Sequence, residues 1–372
     1  MQSRAGPALR TAEPLALIKT KQYRMTKEEG INQVYGGGGH VVILGAGASI
    51  ASTYRNAEKN SKRLPSMDNF SELLNLEKII EKIPEGLREN NFEKLYGNLH
   101  REDPTSNILK EIEDKIQSYF GDMKLPDEPT IYDYMVLSLR GKDLIATFNW
   151  DPFLYQAWVR NRKFTHDLPH LSFLHGNVAI GYGKEDKRCG PVGMQIRQEG
   201  GVLEPTKLLY PVEQKNYTSD EFINLEWDRI KFWLAKKNGT VRATIFGYGA
   251  PVSDVEAVSL LNDAWGTPDD REMEQFEIID ITPEKELRKR WDGFIHSTHY
   301  DVTSDYFGSS LAHNPRRTSE SYFSIYQPLT PSEAVRTSNP VPQNFKTLEE
   351  LWEWHKPLID AEKRAEKKEN ES

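Results

Sequence analysis

From residue 40 to residue 308 the chain alternates short apolar runs with stretches of helical periodicity. Val41, Val42, Ile43 and Leu44 form the first run, ended by Gly45-Ala46-Gly47-Ala48-Ser49. Residues 144–148 precede Asn149, residues 171–174 precede His175-Gly176, residues 243–246 precede Gly247-Tyr248-Gly249, and residues 276–279 precede Asp280. Apolar runs this short, bounded by Gly or polar residues, predict buried strands. Between the first two runs, residues 68–83, 108–120 and 131–139 carry apolar side chains at helical spacing, which predicts three helices forming a module over about 66–140. Thr218-x-x-Glu221 and Ser253-x-x-Glu256 have capping-box spacing, and Thr282-Pro283 is a further helix start. Strands alternating with helices predict an α/β chain with a doubly wound parallel sheet and a helical insertion after the first strand. Ligands of such sheets sit beyond the carboxyl ends of the strands. Gly45, Asn149, His175, Gly247 and Asp280 all fall there.

The ends read differently. Residues 1–39 are expected to be a flexible arm hinged on Gly36 to Gly39. Residues 309–372 are expected to be an extended arm with a short amphipathic helix at Leu348, Leu351, Trp352 and His355, interrupted at Pro357. The folded domain then spans 40–308.

Composition narrows the chemistry. The formal net charge of −8 comes from 48 basic and 56 acidic residues mixed along the chain, so there is no strong direct nucleic-acid signal. The lone cysteine, Cys189, excludes an internal disulfide and any zinc site of paired Cys-x-x-Cys motifs, and fits a reducing cytoplasm. No apolar run approaches a membrane span, and the N-terminus lacks a secretory apolar region. His166, His170 and His175 cross a loop and a strand and are not read as a metal site, so no metal is expected.

The candidate residues follow from the strand ends. Gly45 and Gly47 permit positive φ and close backbone approach, so that the turn and the helix after it can hold a phosphate. A tight turn with no ligand explains the glycines equally well. The third glycine of a dinucleotide fingerprint is replaced by Ile50, so this is not the ordinary dehydrogenase loop. Asn149 offers an amide for ribose hydroxyls or a water. Asp151 is a helix cap or a ligand contact, His175 has the proton affinity for acid–base work, and Gly247-Tyr248-Gly249-Ala250-Pro251-Val252-Ser253-Asp254 is a second candidate contact turn.

Taken together, Gly45-Ala46-Gly47-Ala48-Ser49, Thr147-Phe148-Asn149-Trp150-Asp151, Leu174-His175-Gly176 and Phe246-Gly247-Tyr248-Gly249 resemble, in order, the motifs of sirtuin-like domains. They most resemble the bacterial sirtuin-like proteins of antiviral defence that hydrolyse NAD+. The resemblance implies a sirtuin-like Rossmann variant with NAD as substrate. It further implies cofactor contacts from Gly45, Ala46, Gly47, Ser49, Asp151, Gly247, Tyr248, Gly249 and Asp280, with Asn149 and His175 catalytic. Two departures bear on activity: one cysteine cannot build the four-cysteine zinc module of deacylating sirtuins, and Phe148 stands where they carry Gln. NAD+ hydrolysis to ADP-ribose and nicotinamide is therefore the expected reaction. A sensor without turnover and a zinc-free protein deacylase remain open alternatives. An unrestrained NAD+ hydrolase would drain its own cell, so gating is expected, through a homo-oligomer held partly by the two arms. The resemblance supplies a HerA-like ring ATPase as partner.

Overall fold

The computed structural model describes residues 25–54, 62–195, 201–212, 215, 217–250, 254–271, 275–296, 300–326, 328 and 337–371. In chain order, α1 (Lys27–Asn32) leads to β1 (Gly39–Leu44) and α2 (Ala46–Tyr54), followed by α3 (Phe70–Leu73), α4 (Glu77–Ile80), α5 (Phe92–Glu102), α6 (Asn107–Gly121) and α7 (Ile131–Ser138). Then come β2 (Leu144–Thr147), α8 (Phe153–Asn161), β3 (His170–Phe173), and the short strands β4 (Ile180–Gly183), β5 (Arg188–Pro191) and β6 (Glu204–Pro205). The chain continues through α9 (Glu221–Leu234), β7 (Thr240–Phe246), α10 (Val255–Trp265), β8 (Gln275–Ile279), α11 (Glu284–Arg290) and β9 (Tyr300–Thr303), and ends in α12 (Ser310–His313), α13 (Thr318–Tyr326) and α14 (Leu348–Glu371).

The main sheet has six strands in the order β3-β2-β1-β7-β8-β9, all neighbours parallel. Successive side chains of a strand point to opposite faces. Val42, Leu44 and Ile145 accordingly enter one core with the helical insertion and α14. Val41, Ile43, Leu144, Ala146, Ala243 and Ile245 enter a second core with α9, α10 and α11. Helices on both faces make this the expected doubly wound α/β sheet. Strand order reverses between β1 and β7, the position where a crevice opens at the carboxyl edge. The sequence did not reveal β9 or the small antiparallel sheet β5-β4-β6.

Several local expectations need correction. Residues 68–83 form two short helices rather than one, because Asn75 takes a left-handed conformation (φ 53°), which asparagine tolerates. Phe70, Leu74, Leu76, Ile79 and Ile83 still reach the core, so the apolar spacing survives the break. Helix α9 is capped by Asp220, whose carboxylate accepts from the Ile223 N–H at 3.1 Å, rather than by Thr218. Ser253 lies outside the described residues, and α10 begins directly after Asp254. Pro283 stands just before α11 rather than at its first position.

The arms differ most from expectation. Residues 1–24 lie outside the described residues, but residues 25–39 dock on the domain: the Arg317 guanidinium donates to the Ile31 carbonyl at 2.8 Å and Arg364 to Asn32 at 3.0 Å. The C-terminal segment is no extended arm where it is described. Helix α14 runs 24 residues with Pro357 inside it. A proline within a helix costs a hydrogen bond and a steric clash, about 3 kcal/mol. Burial of Leu351, Leu358 and Ile359 offsets that cost. An ionic anchor adds to it: buried Glu362 accepts from Arg316 at 2.6 Å and from Arg317 at 2.5 Å.

Candidate functional site

The two glycine turns meet at the sheet's switch point. The Gly45 N–H donates to the Phe246 carbonyl at 3.0 Å and the Gly47 N–H to the Gly247 carbonyl at 2.9 Å. A Cβ on Gly47 would stand 2.7 Å from the Gly247 Cα, and one on Gly247 2.3 Å from the Ala48 nitrogen. Close approach is thus why glycine is required at 45 and 47. The left-handed backbone expected of that turn occurs instead at Gly247 (φ 61°). The contact also engages the Gly45 and Gly47 amides that the sequence assigned to a phosphate.

Beside these turns lies a cleft of about 340 Å³. Gly45, Ala46, Ser49, Asn149, Asp151, His175, Gly247, Tyr248 and Gly249 all line it. Gly47 does not, being packed on Gly247. Asp280 does not either: its carboxylate accepts from the Thr282 N–H at 2.8 Å, closing a turn after β8. The helical insertion supplies the opposite wall through Phe70, Glu93 and Phe120.

A buried network orients the β2 end. Asn149 Nδ2 donates to the Gly45 carbonyl at 2.8 Å and to Ser49 Oγ at 2.9 Å. Ser49 Oγ in turn donates to Asp151 at 2.7 Å and lies 2.6 Å from the Tyr132 hydroxyl. Burial pushes the Asp151 carboxyl up to about 6, against the lowering effect of the Ser49 bond. Ser49 and Asp151 therefore hold Asn149 in place. The Asn149 amide N–H groups are thus engaged on Gly45 and Ser49, and its carbonyl oxygen is the part of the side chain left to accept a further bond.

His175 lies two residues beyond β3, just before Gly176 turns the chain (φ 76°); a Cβ on Gly176 would lie 2.0 Å from the Lys207 carbonyl oxygen. The imidazole is buried edge-on against Phe148, centroids 4.7 Å apart, and Nε2 lies 3.4 Å from the Tyr217 hydroxyl. Burial first, then the charge of Lys215, pulls its pKa down to about 3. The ring is therefore uncharged through the physiological range. Phe148 also stacks on Tyr248 at 4.2 Å, so the residue that departs from the deacylase motif joins the two strand ends through aromatic packing.

Sequence reading missed two groups here, Tyr132 and Lys215, and the pairing of Lys215 with Asp254. Tyr132 reaches the Asn149 network from α7, across 83 residues from Ser49. Lys215 and Asp254 form a buried ion pair on the cleft wall, and the Tyr248 hydroxyl donates to Asp254 at 2.9 Å. Lys215 sits in polar loop sequence with no motif around it, whereas Asp254 ends the segment read from the sequence as a second contact turn and directly precedes α10; only the fold pairs the two. Among the described residues no group of three or more His, Cys, Asp or Glu is placed to hold a metal, and no helix is long and apolar enough to cross a membrane.

No protein-family model matches the chain, and no curated protein matches it. Solved structures similar to it include a Sir2 homologue in complex with NAD, at 13% identity and a TM-score of 0.35, covering 75% of this chain and 89% of that one. A mutant Sir2 homologue with ADP-ribose has 12% identity and a TM-score of 0.34, covering 72% and 94%. Another mutant homologue with 2′-O-acetyl ADP-ribose has 12% identity and a TM-score of 0.36, covering 74% and 88%. Scores this low leave the functional argument to the chain's own cleft.

Proposed function

We propose that the cleft binds NAD+ and cleaves its nicotinamide–ribose bond, transferring ADP-ribose to water. The observation that carries this reading is the pairing of Asn149 and His175, from adjacent strand ends, on a cleft beside the β1–β7 switch point. Nicotinamide departs from a cationic N-glycoside as a neutral molecule, so the reaction needs no acid. It needs stabilisation of an oxocarbenium-like ribose and a base for the incoming water. The Asn149 carbonyl is an acceptor, suited to a ribose hydroxyl, a water or a developing positive charge. His175 is uncharged and accepts a proton. Ser49, Asp151 and Tyr132 fix the amide, and Phe148 fixes the imidazole. This chemistry uses no metal.

The test is nicotinamide release from NAD+ by the full chain. His175→Ala should lower the rate roughly 10²–10⁴-fold, the usual contribution of a positioned base. Asn149→Ala should lower kcat more than it weakens binding. Binding without release would favour the sensor, and turnover of an acyl-peptide the deacylase. An effector role in antiviral defence, with a homo-oligomer and a HerA-like ring ATPase as gate, is the extension suggested by the motif resemblance. Full activity of a monomer at micromolar concentration would refute that gate.

A further inference from the structure

We propose that Lys215 is the anion-recognition residue of this cleft, taking the diphosphate of the dinucleotide while Asp254 holds it in position. This rests on the NAD+ reading and adds a full positive charge, which the glycine turn cannot supply. A diphosphate brings two negative charges. The turn's expected donors, the Gly45 and Gly47 amides, already bond Phe246 and Gly247. The N-terminus of α2 contributes only about half a charge. Among the described residues lining the cleft, Glu93, Asp151 and Asp254 are acidic, and Lys215 is the one Lys or Arg. Without that cation the ligand would enter a wall of its own sign.

The geometry suits the task. Lys215 and Asp254 are both buried and paired, and a charge so shielded from water attracts an anion more strongly than a surface lysine. An ammonium has three donors, and the contact described for Lys215 is to one oxygen of Asp254. The other oxygen accepts from the Tyr248 hydroxyl. Asp254 therefore keeps a partner if Lys215 turns part of its bonding to a ligand. Tyr248, stacked on Phe148, anchors this carboxylate to the aromatic group around His175.

Removing Lys215 alone would leave Asp254 as a buried charge without its cation and could unfold the chain; Asp254→Asn also removes a counter-charge, but keeps the side-chain volume and an amide oxygen to accept from the ammonium. The informative comparison is therefore Asp254→Asn against the double variant Lys215→Met/Asp254→Asn, with folding of each checked by thermal melting. Titrations of the full chain use ADP-ribose and, as the phosphate-free probe, adenosine. Asp254→Asn, with its lysine unpaired, should bind ADP-ribose at least as tightly as the unsubstituted protein. The double variant should bind it at least about tenfold more weakly than Asp254→Asn, the size of a charge-assisted bond, with adenosine affinity equal in the two. Equal ADP-ribose affinity in the two variants would overturn the proposal while leaving the NAD+ reading standing. A parallel loss of adenosine would overturn it as well, by making the pair a support of the cleft wall. If the unsubstituted protein bound neither NAD+ nor ADP-ribose, the reading beneath the proposal would fall.

Discussion

Replacing Glu362 with Gln tests whether the C-terminal helix belongs to the fold. Glu362 is 4% exposed and meets two guanidinium groups, Arg316 and Arg317. Arg316 also donates to the Leu139 and Asp167 carbonyls, and Arg317 to those of Ile31 and Leu358. Asp167, at the surface, pairs with Arg316 as well, at 2.6 Å, but Glu362 is the buried carboxylate shared by both guanidinium groups at a junction that joins α1, α7, the loop before β3 and α14. Losing one member of such a buried group costs about 3–5 kcal/mol, because the remaining charges cannot regain water. Glutamine keeps the volume and one acceptor oxygen, so about 3 kcal/mol is expected, on the order of a hundredfold in an opening equilibrium. Thermal melting should fall by roughly 5 °C or more if the chain unfolds as a unit. If α14 opens first, hydrogen exchange of residues 348–371 should accelerate about a hundredfold while the sheet amides stay protected. Burial raises the Glu362 carboxyl, but Arg316 and Arg317 outweigh it and hold the group below its usual range. Its contribution is accordingly present above that range and is lost as pH falls through the lowered value. The gap between variant and unsubstituted protein should therefore close in acid. A melting point within about 1 °C at neutral pH, with unchanged exchange, would refute the argument.

Two further predictions concern the cleft. If nicotinamide release depends on neutral His175, the rate should change less than about twofold from pH 8 to pH 5, since a group near 3 stays uncharged there; a histidine at its ordinary value would lose about 30-fold. The profile is best taken in an Asp151→Asn background, because that carboxyl titrates near 6, and a steep acid limb in that background would remove the buried, neutral base. Gly47→Ala should lower melting by several degrees or prevent soluble expression, because its Cβ would meet the Gly247 backbone at 2.7 Å; an unperturbed variant would show that the two turns can separate freely.

The sequence announced the parts of this fold that are local. The run of residues 41–44 is apolar on both faces, as a buried strand requires, and the order of such runs places Gly45, Asn149, His175 and Gly247 at one sheet edge. Strand β9 was hidden because Tyr300, Asp301, Val302 and Thr303 are only partly buried at the sheet's end, leaving no apolar run to detect. Asp280 shows the limit of strand-end reasoning: it directly follows β8 as expected, but its carboxylate closes its own turn. Helix α14 was misjudged because Pro357 is a local signal and Glu362 a distant one. Nothing near Glu362 in sequence points to Arg316 and Arg317, 46 and 45 residues away.

The same distinction accounts for the chemistry of the cleft. A glycine turn can be read as an anion site only if its amides are free, and that depends on what packs against it. Here the packing partner is another glycine turn, and the close approach that makes both glycines necessary also engages the Gly45 and Gly47 donors. The turns bring β1, β2 and β7 together so that Asn149 and His175 face one space. Recognition of charge then passes to groups drawn from the loops, Lys215 and Asp254, whose places are set by that framework. Asn149 follows the same logic at the level of single atoms. Its donors hold Gly45 and Ser49, so the framework leaves the carbonyl rather than an N–H to make any further bond.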